Sequence, residues 1–167
     1  LGDRQSEVRE SAWPALTKLA GQDHERGLEA ALGMLSSGSW SDRRDAARAL
    51  PGLASHGNKL ALEALIVRVA DRDSDVRQCA VAVLPALAGQ DHEEAVKATQ
   101  ARLVDEAANV RKAAAQALPQ LAGDACRQGI LDALLPRLLS EQWEETQVVR
   151  EAIVTALPSL AGQGSVG

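Results

Sequence analysis

The stretch VRQCAVAVLPALAG, residues 76–89, decides the fold because it recurs along the chain. Residues 110–123 read VRKAAAQALPQLAG and align with it without a gap. Related stretches begin at residues 8, 42 and 149. The starting positions are therefore evenly spaced from 8 through 42 and 76 to 110, and only the last interval is longer. A regular period of this size is typical of arrays in which one supersecondary unit stacks on the next.

Each repeat contains one clear helical pattern. Within residues 76–89 the apolar side chains fall at positions i, i+4, i+7, i+8 and i+11, which places them on one helix face: Val76, Ala80, Val83, Leu84 and Leu87. Gly89 follows where a glycine often ends a helix. A less regular apolar stripe precedes this helix at residues 62–69. We therefore predict a helical hairpin in every repeat, with a first and a second helix.

Composition supports an all-α fold and limits the classes of function. The chain of 167 residues has no Phe, no Tyr and three Trp, so its core must be built from Ala, Leu and Val. A net charge of −5 argues against binding nucleic acid by a basic stripe. No apolar run approaches the roughly 20 residues of a membrane span. Two cysteines make no disulfide framework, which favours an intracellular protein.

Proline recurs late in the second helix of four repeats, at residues 51, 85, 119 and 158. An interior proline removes a hydrogen bond and clashes with the preceding turn, at a cost of about 3 kcal/mol. Because the four prolines are in register, we interpret them as kinks that help to set the curvature of the array.

The repeats resemble the HEAT-repeat family, including its short, regular members in phycobilisome-lyase-type proteins. The resemblance lies in an Asp-rich turn, Asp71 to Asp75, followed by the pattern V-R-x-x-A-x-x-A-L that begins at Val76. It implies an all-α, right-handed α-solenoid of about four and a half hairpins, with nine helices and one domain over residues 1–167. Because neither end carries a polar cap, we expect the chain to be a segment of a longer protein.

The resemblance also implies a ladder of hydrogen bonds between successive repeats. In each repeat the arginine of the ladder is the second residue. These arginines are Arg9, Arg43, Arg77, Arg111 and Arg150. The acidic partners that it favours are Asp75 and Asp105. A partly buried guanidinium needs such partners, so we expect a structural role for these residues rather than ligand binding.

The pentapeptide GQDHE, at residues 21–25 and 89–93, suggests a zinc-binding helix H-E-x-x-H at first sight. Leu28 and Val96 occupy the positions of the required second histidine, so this interpretation fails. A second set of residues shares one position of the repeat: His24, Asn58, His92 and Cys126. Neighbouring repeats are too far apart for these side chains to share a zinc ion. We therefore expect them to lie at helix starts instead. Cys79 has no nearby base. We predict no catalytic residues, no metal site and no cofactor.

Two surfaces are candidates for binding a protein partner. The first is the side of the second helices opposite their apolar stripe, which we expect to line the concave side of the solenoid, and on it we select Arg44, Arg48, Gln78, Lys112, Gln116 and Glu151. The second is the turn that holds the extra residues of the last, longer interval, with Trp143, Glu144 and Glu145. Trp40 occupies the equivalent turn three repeats earlier, and an exposed tryptophan is a typical interface anchor.

We therefore expect a non-enzymatic scaffold, or a structural subunit of a larger complex, that binds protein partners and no nucleic acid. The alternative that the resemblance implies is a bilin lyase-type protein, which would bind a chromophore and change its absorption spectrum. The further alternative, that these helix faces contact only solvent, also stays open. The sequence leaves the identity of the partner and the cellular compartment open.

Overall fold

A computed structural model describes residues 24–139 and the single positions 147, 150, 151, 153–155 and 158. Every element in this part of the chain is helical, in agreement with the predicted all-α fold. The elements are, in order, α1 (His24–Met34), α2 (Trp40–Leu53), α3 (Lys59–Arg68), α4 (Ser74–Ala88), α5 (Glu93–Ala101), a 3-10 helix (Arg102–Val104), α6 (Ala108–Leu121) and α7 (Arg127–Leu139).

The helix count differs from the sequence prediction. Seven α-helices and one 3-10 helix make eight helices over residues 24–139, rather than the nine expected for the whole chain. The first predicted helix falls outside the described residues. The 3-10 helix arises because the first helix of its repeat tightens over its last three residues, where Asp105 N donates to the carbonyl of Arg102 at 3.1 Å.

The second helix α4 follows its sequence pattern closely. Val76, Ala80, Leu84 and Leu87 are fully buried on one face. Asp73 caps the amino end by accepting hydrogen bonds from the N–H groups of residues 75 and 76. Gly89 ends the helix with φ 71°, as a helix-terminating glycine does.

The first helices begin at polar capping residues, and this role explains the histidine of GQDHE. The Asn58 side chain accepts a hydrogen bond from Ala61 N at 3.0 Å at the start of α3. His92 Nδ1 accepts from Ala95 N at 3.4 Å at the start of α5, in the equivalent place. The prediction that these positions lie at helix starts is confirmed for Asn58 and His92.

The helices pack as two rows. The second helices α2, α4 and α6 contact one another in sequence order, and the first helices α1, α3, α5 and α7 do the same. The first helices α1, α3 and α5 also pack against the second helix of their own repeat. The core between the rows is made of small aliphatic side chains, and its largest fully buried members include Leu50, Leu65, Leu84, Leu118 and Ile130.

The recurrent prolines lie inside continuous helices. Pro51, Pro85 and Pro119 are each followed by two or three more helical residues. Their effect on the bending of the helices stays a prediction. No helix in the described part of the chain combines the length and the apolar character needed to cross a bilayer.

Candidate functional site

The outward side of the second helices forms one continuous surface of the described chain. Residues two, six and ten positions after the start of each repeat recur once per repeat in α2, α4 and α6, so equivalent residues of neighbouring helices line up in columns. All are exposed except Arg44, which is half-buried. We call this surface the second-helix face: Arg44, Arg48 and Gly52 of α2, Gln78, Ala82 and Ala86 of α4, and Lys112, Gln116 and Gln120 of α6.

A tryptophan and an arginine stand at the amino end of this face. Trp40 is the first residue of α2 and keeps 43% of its surface exposed. The Arg44 guanidinium carbon lies 5.1 Å from the centroid of the Trp40 ring, one helical turn away, a typical cation–π arrangement. Arg44 also donates two hydrogen bonds to Asp45 Oδ1, at 3.0 and 2.9 Å. The Trp40 ring is therefore held in a defined position while part of it remains open to solvent.

Arg48 and Cys79 connect α2 to α4. The Cys79 thiol lies 3.5 Å from the carbonyl oxygen of Arg44. Burial raises the pKa of Cys79, and the neighbouring guanidinium groups of Arg48 and Arg44 only partly oppose this effect. A thiol with a raised pKa is a weak nucleophile at neutral pH. Cys79 therefore acts as a packing residue under the second-helix face.

Amide side chains connect α4 to α6. Asn109 Nδ2 donates to Gln78 Oε1 at 2.8 Å across the two helices. Lys112 and Gln116 are exposed on α6. Glu151 is exposed as well, with a hydrogen bond from Gln147 Nε2 at 3.2 Å.

Beneath one edge of this face, buried arginines connect successive repeats. Arg43 donates from Nε and Nη2 to the two carboxylate oxygens of Asp71, at 2.8 and 2.7 Å. Its Nη1 donates to the carbonyls of Ser37 and Gly38. Both ionic side chains are almost fully buried, at 4% and 3% exposure. The guanidinium thus has its donors satisfied from its own turn and from the next repeat.

The same arrangement recurs one repeat later. Arg77 donates to the two oxygens of Asp105 at 2.9 and 2.8 Å, and to the carbonyls of Asp71 and Arg72. In each case the aspartate lies 28 residues after its arginine. Each aspartate also accepts from an arginine three residues before it and from the backbone N–H two residues after it. We call these two Arg–Asp pairs the ladder.

The ladder shifts the acid–base properties of its members. Burial alone would raise the pKa of Asp71, but the hydrogen bonds from Arg43 and from the N–H of Asp73 outweigh it and hold the pKa below its usual value. The pKa of Asp105 is lowered in the same way, against its burial, by Arg77 and the N–H of Ala107. The hydrogen bonds to the aspartates raise the pKa of Arg43 and of Arg77. Both pairs are therefore ionised across the ordinary pH range.

Some of the expected ladder residues form the bonds that the resemblance implied, and others do not. Asp105 is a partner, but the assignment of Asp75 is wrong: its side chain is exposed, and Asp71 takes the place next to Arg43. Arg111 donates to the carbonyls of Asp105 and Glu106, which repeats the backbone half of the ladder. Arg150 is half-buried, and Arg9 lies outside the described residues.

A second connection between repeats explains the aspartate of GQDHE. Asp91 has a positive φ of 59°, and its N–H donates to the carbonyl of Leu121 in the next repeat at 2.9 Å. Its carboxylate accepts from the N–H groups of Gly123 and Cys126, at 3.1 and 3.0 Å. A side chain at residue 123 would overlap this carboxylate and displace it from these hydrogen bonds. The pentapeptide is therefore part of the joint between repeats.

Gly57 occupies the place of Asp91 one repeat earlier, and it preserves only the backbone part of the joint. Its φ is 78°, and its N–H donates to the carbonyl of Leu87 at 2.9 Å. Nearby, Gly89 faces the His56 ring, which would lie 2.6 Å from an added Cβ. The shared feature of the joint is thus the left-handed backbone and its hydrogen bond, and the carboxylate is an addition.

Among the described residues, no three His, Cys, Asp or Glu side chains come together in a way that could hold a metal ion. Cys79 and Cys126 are both free thiols. The side chain of His24 lies outside the described part, as do Trp143, Glu144 and Glu145. Of the predicted binding edge at residues 140–147 the structure describes only Gln147, and the equivalent turn of an earlier repeat is described at Trp40.

Sequence reasoning missed four contributors, three of which had a usable signal. Asp71 stands one repeat before Asp105, so the repeat register alone indicated it as the equivalent residue. Arg68 and Arg102 are likewise equivalent residues of successive repeats, and they bond these two aspartates. Asn109 had no such signal, because it pairs with a residue that is not at an equivalent position in the neighbouring helix.

Comparison with known proteins supports the fold and carries no functional information. No protein-family model and no curated protein matches the sequence. Two crystal structures of engineered proteins from the Northeast Structural Genomics Consortium are similar to the chain. One has a TM-score of 0.64 at 24% identity, over 93% of this chain and 74% of that protein. The other has a TM-score of 0.60 at 26% identity, over 95% of this chain and 45% of that protein.

Proposed function

We propose that the chain is a non-enzymatic scaffold that binds a protein partner on its second-helix face. In this proposal the helical hairpins form a right-handed solenoid of HEAT-like repeats, which presents the second helices as one long surface. The observation that carries the proposal is the alignment of exposed side chains in columns across three packed helices. A surface of this kind suits an extended partner, because each repeat adds one more set of contacts.

The ladder supports this proposal by making the surface rigid. Arg43 and Arg77 fix the spacing of consecutive repeats through buried, bidentate bonds to Asp71 and Asp105. A surface that is already ordered loses less conformational entropy when it binds. Trp40 adds an exposed aromatic side chain that Arg44 already holds in place, which is the type of residue that contributes most to affinity at interfaces.

Site-specific photocrosslinking in the native host extract tests the proposal. A photoreactive p-benzoylphenylalanine replaces Gln78 or Gln116 on the second-helix face, or Glu63 or Glu94 on the first helices as matched controls. All four positions are exposed, so the substitutions should leave the fold unchanged. We expect a shared crosslinked protein from positions 78 and 116 that is absent from positions 63 and 94. Equal crosslinking from both rows would contradict the proposal.

Two further measurements test the other predicted binding edge and the alternative function. A photoreactive residue in place of Trp143 reports on the predicted turn at residues 140–147, and a partner seen only from there would move the binding site to that edge. For the bilin lyase-type alternative, the purified chain is mixed with a bilin and its visible absorption is recorded. A saturable spectral change would favour the chromophore-handling function over the scaffold.

A further inference from the structure

Among the described residues, two cations of the second-helix face form no ion pair with a carboxylate. The exposed lysines of the first helices form ion pairs, Lys59 with Glu63 and Lys97 with Glu93. Arg48 and Lys112 form no ion pair among the described residues, although both are exposed. Both lie on the second-helix face, on α2 and on α6. Uncompensated positive charge is thus present on the face for which we propose a partner.

The residues between these two cations leave room for an extended chain. Ala82 and Ala86 of α4 are exposed and small, and the half-buried Cys79 lies on the same helix. Gln78 and Gln116 place side-chain amides beside this strip, and an amide can both donate to and accept from a peptide backbone. Side chains of this size allow a partner backbone to approach the α4 surface closely.

The spacing of the helices sets the spacing of the groups that would pair with the cations. Packed helices lie about 8–10 Å apart, so α2 and α6, with α4 between them, are separated by about 16–20 Å. An extended chain advances about 3.3 Å per residue. Two carboxylates that reach Arg48 and Lys112 at once would therefore be about five or six residues apart.

We propose that the second-helix face binds an extended, acidic protein segment whose two groups of carboxylates, about five or six residues apart, pair with Arg48 and Lys112. This inference rests on the proposed scaffold function and specifies the chemistry of its partner. The net charge of −5 does not prevent such binding, because charges more than about 8 Å away are largely screened at physiological ionic strength. The two local cations determine the attraction.

A synthetic peptide tests the proposal directly. The probe is a fluorescein-labelled peptide with two Glu-Glu pairs separated by an Ala-Pro spacer of about five residues, and its binding to the chain is followed by fluorescence anisotropy. We expect saturable binding that weakens as salt is added. The charge reversal R48E/K112E should weaken binding by about tenfold or more, because it places like charges opposite each other. Absence of saturable binding up to about 1 mM would overturn the proposal.

The matched control is the variant K59E/K97E, which changes the net charge by the same amount on the first helices. It should weaken binding by less than about threefold, because both positions are on the other row of helices. Circular dichroism checks that both double variants keep the helical content of the parent. An equal loss of binding in both variants would mean that only net charge matters, and this would overturn the proposal.

The spacing is tested with a second peptide. A peptide with its four Glu residues contiguous should bind more weakly than the spaced peptide, because it reaches only one of the two cations at a time. Equal binding of the two peptides would contradict the proposal.

Two further outcomes distinguish this inference from its alternatives. A short oligothymidylate that binds more tightly than the peptide, with the same sensitivity to R48E/K112E, would replace the acidic segment by nucleic acid and overturn the inference. If the peptide does not bind but positions 78 and 116 still crosslink one protein, the chemistry of the partner is wrong and the scaffold function stands. If neither occurs, the scaffold function fails as well.

Discussion

At the scale of single residues, Asp91 combines an unfavourable backbone with a favourable side chain. Its φ of 59° is a conformation that residues with a Cβ adopt reluctantly, and glycine occupies the equivalent position 57. Its carboxylate compensates by accepting hydrogen bonds from the N–H groups of Gly123 and Cys126. The residue is therefore a compromise between local strain and a bond to the next repeat.

Substitution of Asp91 separates these two effects. Asp91→Ala and Asp91→Gly both remove the carboxylate, but only alanine keeps a Cβ at positive φ. We expect both variants to melt below the parent in thermal denaturation, and Asp91→Ala to be the less stable of the two. Asp124→Ala, at a neighbouring exposed carboxylate, is the control and should have little effect. Equal stability of the alanine and glycine variants would show that the backbone strain is not significant.

Thr99 is a polar residue in an apolar environment. Its side chain is fully buried in α5, and its hydroxyl has no hydrogen-bond partner among the described residues. The equivalent position one repeat earlier is Leu65. We expect Thr99→Val to raise the free energy of unfolding by about 1 kcal/mol, because it removes an unsatisfied polar group and keeps the shape. Thr99→Ala, which leaves a cavity, should lower it in the same urea titration. Destabilisation by valine would mean that the hydroxyl has a partner.

At the scale of secondary-structure elements, the ladder couples helices that are distant in sequence. Arg77 near the start of α4 bonds Asp105, which precedes α6. Because both side chains are buried, removal of one partner leaves the other charge poorly compensated. The bond therefore contributes more to specifying the spacing of α4 and α6 than to net stability.

A double-mutant cycle tests this coupling. Arg77→Met alone should lower the free energy of unfolding by about 3 kcal/mol, because Asp105 remains buried. The double variant Arg77→Met/Asp105→Leu should lose less than the sum of the two single variants, by at least about 1 kcal/mol. The exposed pair Lys59–Glu63 gives the comparison, and its coupling should be below about 0.5 kcal/mol. A purely additive result for Arg77 and Asp105 would mean that the two side chains do not interact significantly.

At the scale of the whole molecule, the two aspartates of the ladder link stability to pH. The pKa values of Asp71 and Asp105 are lower in the folded chain than their usual values. The stability that they contribute is therefore complete above the pKa of the unfolded chain, near about 3.9, and is lost as the pH falls through the lower folded values. The molecule should lose stability mainly on the acid side of about pH 4.

Asp105→Asn should reduce this dependence. The variant is less stable than the parent at neutral pH, but its free energy of unfolding should change less between about pH 5 and pH 3, because one titrating group has been removed. Urea denaturation at a series of pH values measures the difference. Glu63→Gln, at an exposed carboxylate on α3, is the control and should keep the acid dependence of the parent. A parallel pH profile for Asp105→Asn would exclude the ladder as its source.

The repeat register predicted most of the helical elements and part of the site. The apolar stripe of α4 and the caps at Asn58 and His92 follow from local rules of helix formation, and the structure contains them. Asp71, which pairs with Arg43 in place of the predicted Asp75, could also have been predicted, because it is the equivalent of Asp105 one repeat earlier. The Asn109–Gln78 bond could not, since it joins non-equivalent positions and the relative rotation of two helices determines it.

The 28-residue span of the ladder affects how such a chain can change in length. Because the arginine and the aspartate each recur at the same position of the repeat, a duplicated unit carries one of each, and its bond to the neighbouring unit keeps the same span. A gene that gained or lost a whole unit would therefore leave no buried charge without its counterpart. The length of the chain, and with it the number of binding positions on offer, is free to vary during evolution without a redesign of the joints.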